Sequence, residues 1–171
     1  MDVMEAIKKR RSVRVYQNKP LPEEKLRKIL EAARLAPSAR NLQAYKFIVV
    51  KNHELRKRLA KEATRHSFIG DAAVIIVAVS LDPDYVMPGG VPAHPVDIAI
   101  ALDHITLAAV EQKLGTCWIG GFYQDQVKNI LSIPEKYKVV ALLPVGWPAD
   151  SPKGKVRKTL QEIICHHFFV E

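Results

Sequence analysis

Val96–Leu114, Val-Asp-Ile-Ala-Ile-Ala-Leu-Asp-His-Ile-Thr-Leu-Ala-Ala-Val-Glu-Gln-Lys-Leu, runs straight into Gly115-Thr116-Cys117-Trp118-Ile119-Gly120-Gly121-Phe122. Apolar residues occupy several faces of the first stretch (Ile98, Ala101, Leu102, Ile105, Leu107, Ala109). A helix apolar all round is a central core helix or an oligomer seam. Gly115 reads as its C-cap. Gly120-Gly121 reads either as a simple turn or as a place where backbone lets a flat ligand come close.

Outward from this junction, helices and strands alternate with no linker and no internal repeat. Toward the N-terminus, Ala72 to Ser80 is a buried strand, and no apolar run approaches a membrane span. Between that strand and the long helix, Pro83 to Pro95 is rich in proline and holds Gly89-Gly90, so it reads as a loop that covers something. Glu54 to Thr64 is a helix and Tyr45 to Lys51 a strand. Pro22 opens a helix that runs to about Leu35 before Pro37 stops it. Asp2 to Lys9 is a first amphipathic helix. Toward the C-terminus, Gln124 to Leu131 is a short helix, Tyr137 to Val145 a strand, and Gly146-Trp147-Pro148 its turn. The pattern is that of a single α+β domain over residues 1–171. Its aromatic tail, about 158–171, is too short for a core of its own and is expected to pack on a second subunit.

Composition narrows the function classes. The chain has 171 residues and a formal net charge of +8, from 26 Lys and Arg against 18 Asp and Glu. The cations are spread along helix faces between glutamates and carry no nucleic-acid reading motif. The two cysteines, Cys117 and Cys165, form no disulfide framework, which points to a reducing cytoplasm. Cys117 sits in an apolar run and reads as a buried small hydrophobe. Cys165-His166-His167 has no partner ligands at metal spacing, so no metal site is expected. His94, His104, Trp118 and Trp147 read as structural; the tryptophans are expected to be core or interface anchors.

Three segments carry chemistry. Arg10-Arg11-Ser12-Val13-Arg14 gathers guanidinium forks and a hydroxyl, donors that suit an anionic group; taken alone it reads better as a cationic cap on a helix end. Ala36-Pro37-Ser38-Ala39-Arg40-Asn41-Leu42-Gln43 places a hydroxyl and amides ahead of a strand, where they serve either turn chemistry or the edge of a heteroaromatic ring. The glycine pair Gly120-Gly121 is the third.

Their joint order resembles the nitroreductase family: Arg-Arg-Ser-x-Arg-x-Tyr, then Ala-Pro-Ser-x-x-Asn-x-Gln, then Leu-Gly-Thr-Cys-Trp-Ile-Gly-Gly-Phe, then a late Lys-x-Arg. The likeness covers essentially the whole chain. It implies a three-layer fold, a central mostly antiparallel sheet flanked by helices, in an intertwined homodimer with FMN at the interface. It implies that Arg10 and Ser12 hold the flavin phosphate with Arg11 close by, that Lys155 and Arg157 close on it, and that Arg14 approaches the pyrimidine edge. Pro37, Ser38, Ala39 and Asn41 match the segment that reaches the flavin from the other subunit, and Gly120 and Gly121 match the backbone bordering N5. The implied reaction is ping-pong hydride transfer from NAD(P)H through flavin N5 to a nitroaromatic, quinone or similar electron-poor acceptor. Arg14 would stabilise the charge that develops at N1/O2. The alternative is a flavin-binding carrier or sensor, or a specialised flavin enzyme, without NAD(P)H turnover. The chain departs from the pattern at Ala44-Tyr45, where many members have Pro-Trp. Only Leu81 to Pro95 stands where larger members carry a helical excursion, so substrate class does not carry over. Arg65 and His66 are the nearest match to a polar position beside the flavin.

Overall fold

The computed structural model describes residues 1–170; Glu171, the end of the expected partner-packing tail, lies outside them. Helix α1 (Val3–Lys9) starts on a capping box: Asp2 Oδ1 accepts from Glu5 N–H at 2.7 Å, and Glu5 returns the bond to Asp2 N–H. Helix α2 (Glu23–Arg34) follows Pro22 and carries Glu23 and Glu24 in its first turn, where negative charge meets the positive end of the helix dipole. Strand β1 (Tyr45–Val50) leads to α3 (His53–Glu62), which Asn52 caps by accepting from Leu55 N–H. Strand β2 (Val74–Ser80), helix α4 (Ala93–Glu111), strand β3 (Gly115–Thr116), helix α5 (Gln124–Leu131) and strand β4 (Lys138–Gly146) complete the domain.

The sheet has the order β1-β2-β4-β3 and is antiparallel throughout, with Tyr45 opposite Ser80 and Val74 opposite Val145. Strand β2 shows why both faces must be covered. Val74, Ile76 and Ala78 pack into a core under α2 and α4, while Ile75, Val77 and Val79 pack into a second core under α3 and α5. Side chains alternate across a strand, so a strand apolar at every position feeds two layers at once. A bulge between Ala78 and Val79 shifts the β2–β4 register near the end of β2.

Helix α4 begins at Ala93, three residues earlier than the proline pattern suggests. Pro95 stands in the first turn, where a missing N–H costs no helical bond. By length and composition alone α4 is apolar enough to cross a bilayer, contrary to the reading from apolar runs. Here it is the core helix: Ile98, Leu102 and Ile105 are fully buried in the α2–α4 core. Its C-terminus also differs from expectation. Lys113, not Gly115, takes the left-handed conformation that ends it (φ 63°), and Gly115 belongs to β3. The loop after β2 folds on itself. Val86 bridges Pro92, Met87 and Val91 are hydrogen-bonded, and Gly90 supplies the one positive glycine φ (81°) among the described residues.

Candidate functional site

Residues 12–17 act as an extra edge on the sheet. Ser12 bridges Thr116 in parallel, Val13 N–H donates to Thr116 O at 2.9 Å, Gln17 N–H donates to Trp147 O, and Ala149 N–H donates to Val15 O. This lacing needs Gly115, because a Cβ there would stand 2.6 Å from Val13 Cγ2. The same lacing carries the segment after Ala149 across to the end of α1. Residues far apart in sequence, Arg10–Arg14 and Lys153–Arg157, thereby line one cleft of about 480 Å³.

Seven of the residues around that cleft are cationic (Lys8, Arg10, Arg11, Arg14, Lys153, Lys155, Arg157) and none is acidic. No ion pair engages any of the seven among the described residues. Like charges held together without carboxylates repel one another, and they create a potential that draws an anion. Arg11 is partly committed: its guanidinium donates to Lys8 O at 2.6 Å and Arg10 O at 2.8 Å, capping the end of α1. The helix-cap reading of this cluster therefore holds for Arg11. Arg10 makes no side-chain bond among the described residues, and Arg14 reaches only Ser12 O at 3.3 Å. Lys8 and Lys153 belong to the cleft but do not stand out in the sequence; Lys8 joins because it lies one helical turn before Arg11.

The run from Thr116 to Gly120 carries the chain away from this cleft. Four residues at about 3.3 Å each span roughly 13 Å. Along it, Cys117 is buried in the α3–α5 core; burial pushes its thiol above the ordinary range, and the nearby Arg14 and Ser12 pull weakly the other way. Ile119 pairs with Leu142 of β4, and beyond it Gly120 and Gly121 are exposed. Neither glycine has a positive φ, and a Cβ on Gly121 or Gly120 would meet nothing nearer than His66 Nε2 at 3.5 Å or Trp118 Nε1 at 3.7 Å. The fold itself places no demand for glycine at either position. Trp118 is 41% exposed beside them, so it is not a core anchor. Trp147 is half-buried, donates to Pro20 O and carries Lys19 over its ring. His104 contacts Ala32 O from α4.

Pro37, Ser38, Ala39 and Asn41 are not brought to this cleft within the chain. They precede β1, at the opposite edge of the sheet from β3, and at the other end of the strands as well: Tyr45 is in register with Ser80 and Lys138, whereas Gly115 lies opposite Gly146. The loop is held tightly there: Ala39 N–H donates to the buried Asp97 Oδ1 at 2.9 Å, and Ser38 Oγ accepts from Gln43 N–H at 3.0 Å. Arg40, Asn41 and Gln43 all have φ near +50°, a costly run for residues with side chains, of the sort concentrated at functional sites.

The model of the Nitroreductase family matches residues 7–66 and 60–147. A putative NADH dehydrogenase/NAD(P)H nitroreductase from Methanothermobacter thermautotrophicus is 38% identical over 156 residues, covering 89% of this chain and 80% of the relative. Among solved structures, a nitroreductase family protein from Clostridium novyi NT superposes with a TM-score of 0.82 at 38% identity, over 91% of this chain and 89% of that one. An FMN-dependent nitroreductase from Clostridium difficile superposes with a TM-score of 0.85 at 29% identity, over 97% and 99% of the two chains. Fold, motif order and sequence likeness agree over most of the chain, which belongs to the nitroreductase family.

Proposed function

We propose that the protein is an FMN-dependent NAD(P)H oxidoreductase that passes electrons to small electron-poor acceptors. The observation that carries this reading is the carboxylate-free cleft, where seven cations surround Ser12. A phosphate monoester fits that donor set, with the Arg10 guanidinium and the Ser12 hydroxyl as its principal partners and Lys155 and Arg157 closing from the far side. The glycine pair about 13 Å along the extended run has no reason in its own backbone to lack side chains, and open backbone is what the rim of a flat ring system requires. Bound FMN would supply the two-electron carrier between NAD(P)H and the acceptor.

The chain's own residues then divide the work. Arg10, Ser12, Lys155 and Arg157 bind and hold the phosphate. Arg14, exposed and without a carboxylate partner among the described residues, would set a fixed positive charge toward the pyrimidine edge, so that negative charge there would meet a cation already in place. Gly120 and Gly121 leave one ring face open. Pro37, Ser38, Ala39 and Asn41 reach the ring of the partner's flavin in a homodimer, which accounts for a strained loop standing on the sheet edge away from the cleft. The tail supports the same assembly: Phe168 and Phe169 are more than four-fifths exposed, an arrangement that a second subunit would cover.

Comparing FMN with riboflavin tests the cleft directly. Two charge-assisted bonds of about 1.5–3 kcal/mol each predict that FMN binds at least about a hundredfold tighter. Arg10→Ala is expected to remove most of that preference, and added salt to weaken FMN binding steeply. Equal affinity for the two flavins would overturn the assignment.

A further inference from the structure

Asp97 is a carboxylate where the packing calls for a hydrocarbon. It opens the second turn of α4, next to Ile98 and one turn before Ala101, both fully buried, and is itself only 6% exposed. Taking a carboxylate out of water is costly unless a cation meets it. No Lys, Arg or His pairs with Asp97 among the described residues. Its hydrogen-bond partner among them is the Ala39 N–H, at 2.9 Å. The charge is felt nearby: after burial it is the second cause that raises the pKa of Tyr45, whose hydroxyl oxygen is buried without a partner among the described residues.

At the other end of that bond is the strained loop. Arg40, Asn41 and Gln43 are held at φ 52°, 55° and 50°, a conformation that residues with a Cβ abandon unless their surroundings enforce it. The loop's other hydrogen bonds are internal: Asn41 N–H to Ser38 O, Leu42 N–H to Ala39 O, Gln43 N–H to Ser38 Oγ. They fix its shape but not its place. The bond from Ala39 to Asp97 is the one that ties residues 37–43 to another element among the described residues, and that element is the core helix. We infer that Asp97 is a positioning residue: through this single charge-assisted bond, α4 sets residues 37–43 where they meet the partner's flavin. The inference rests on the proposed function for the flavin, but not for the clamp itself.

Asp97→Leu and Asp97→Asn test it. Leucine keeps the branched shape and removes the buried charge; asparagine keeps an oxygen to accept from Ala39. Without flavin, Asp97→Leu is expected to melt no lower than the parent, since an unpaired buried charge has gone. Exchange of the Ala39 amide proton should nonetheless quicken by about tenfold or more, and FMN should bind about tenfold more weakly. Asp97→Asn should recover most of both. Mixed dimers, co-expressed with two tags, then show on whose flavin the loop acts. Arg10→Ala disables a cleft and Asp97→Leu a loop, so each mixed dimer of the two should hold one site of parental FMN affinity, built from the intact cleft of one subunit and the intact loop of the other. A Tm and an FMN affinity that fall together in Asp97→Leu overturn the proposal, since that is the mark of a residue that only holds the fold. So do unchanged exchange at Ala39, an Asp97→Asn protein as weak as Asp97→Leu, or mixed dimers with no recovered site. A parent protein that takes up no FMN sinks the proposed function instead, and the melting and exchange measurements still decide whether Asp97 places the loop.

Discussion

Gly121→Ala and Gly115→Ala remove the same hydrogen and should have opposite consequences. At Gly121 the backbone φ suits any residue, and the added Cβ would meet His66 Nε2 at 3.5 Å, an ordinary contact. Alanine there loses less chain entropy on folding, so the flavin-free protein should gain about 0.4–1 kcal/mol, a rise in Tm of roughly 1–4 °C for a chain of this size. At Gly115 the Cβ would stand 2.6 Å from Val13 Cγ2 and 2.7 Å from Val13 Cβ. Rotating the valine relieves only the first of these, so the strand carrying Ser12 must move. Overpacking of about 1–3 kcal/mol plus about 1 kcal/mol for the Val13 N–H bond to Thr116 gives a loss of about 2–4 kcal/mol, or roughly 4–16 °C. FMN affinity should fall in both variants, by about tenfold or more. In Gly121→Ala the cause would be the methyl group standing where the proposed flavin ring would lie; in Gly115→Ala it would be displacement of the segment proposed to hold the phosphate. Thermal melts by circular dichroism without flavin, followed by FMN fluorescence titration, separate the two. A Gly121→Ala protein as destabilised as Gly115→Ala, or one that binds FMN like the parent, would show that Gly121 is kept for the fold or has no part in flavin binding.

Two further outcomes follow from burial. Cys117 is held protonated above its ordinary value of 9.0 by burial, so its contribution to stability is complete below pH 9 and is lost as pH rises past that value through the higher folded pKa; Cys117→Ala should flatten part of the alkaline decline in Tm, and thiol titration of the native protein should modify the exposed Cys165 while sparing Cys117. Truncation after Arg157 removes Leu160, Ile163, Phe168 and Phe169, all mostly exposed, so the far-ultraviolet spectrum should be retained while sedimentation shifts from dimer to monomer and FMN affinity drops; a truncated chain that still sediments as a dimer would remove the tail from the interface.

The elements that the sequence shows clearly are those whose burial is periodic. Gln124–Leu131 coincides with α5 to the residue, and β1 and β2 are recovered to within two residues, because apolar spacing and bounding turns act locally. Strand β3 was invisible, since two residues have no period; it exists because β4 on one side and Ser12 on the other need partners. Pro95 misled the start of α4 because a proline in a first turn looks the same in sequence as one that ends a helix. Gly115 misled its end because the glycine is required by the nearness of Val13, a contact between residues about a hundred positions apart. For the site, residue types at Arg10, Ser12, Lys155 and Arg157 were legible, but their gathering depends on residues 12–17 being laced to 147–149. Arg65 was marked only loosely, because the bridge from Thr64 to Phe122 that carries it toward the glycine pair leaves no trace in local spacing.

The visible spectrum of the purified protein, recorded before and after anaerobic addition of NADPH or NADH, decides whether the basic cleft holds a working flavin. An oxidised flavin spectrum, present on isolation or restored by added FMN, is expected to bleach with reduced nicotinamide and to return with an electron-poor aromatic acceptor. A protein that takes up no FMN would contradict the assignment of the basic cleft. A bound flavin that stays oxidised would show a carrier or sensor in place of an oxidoreductase.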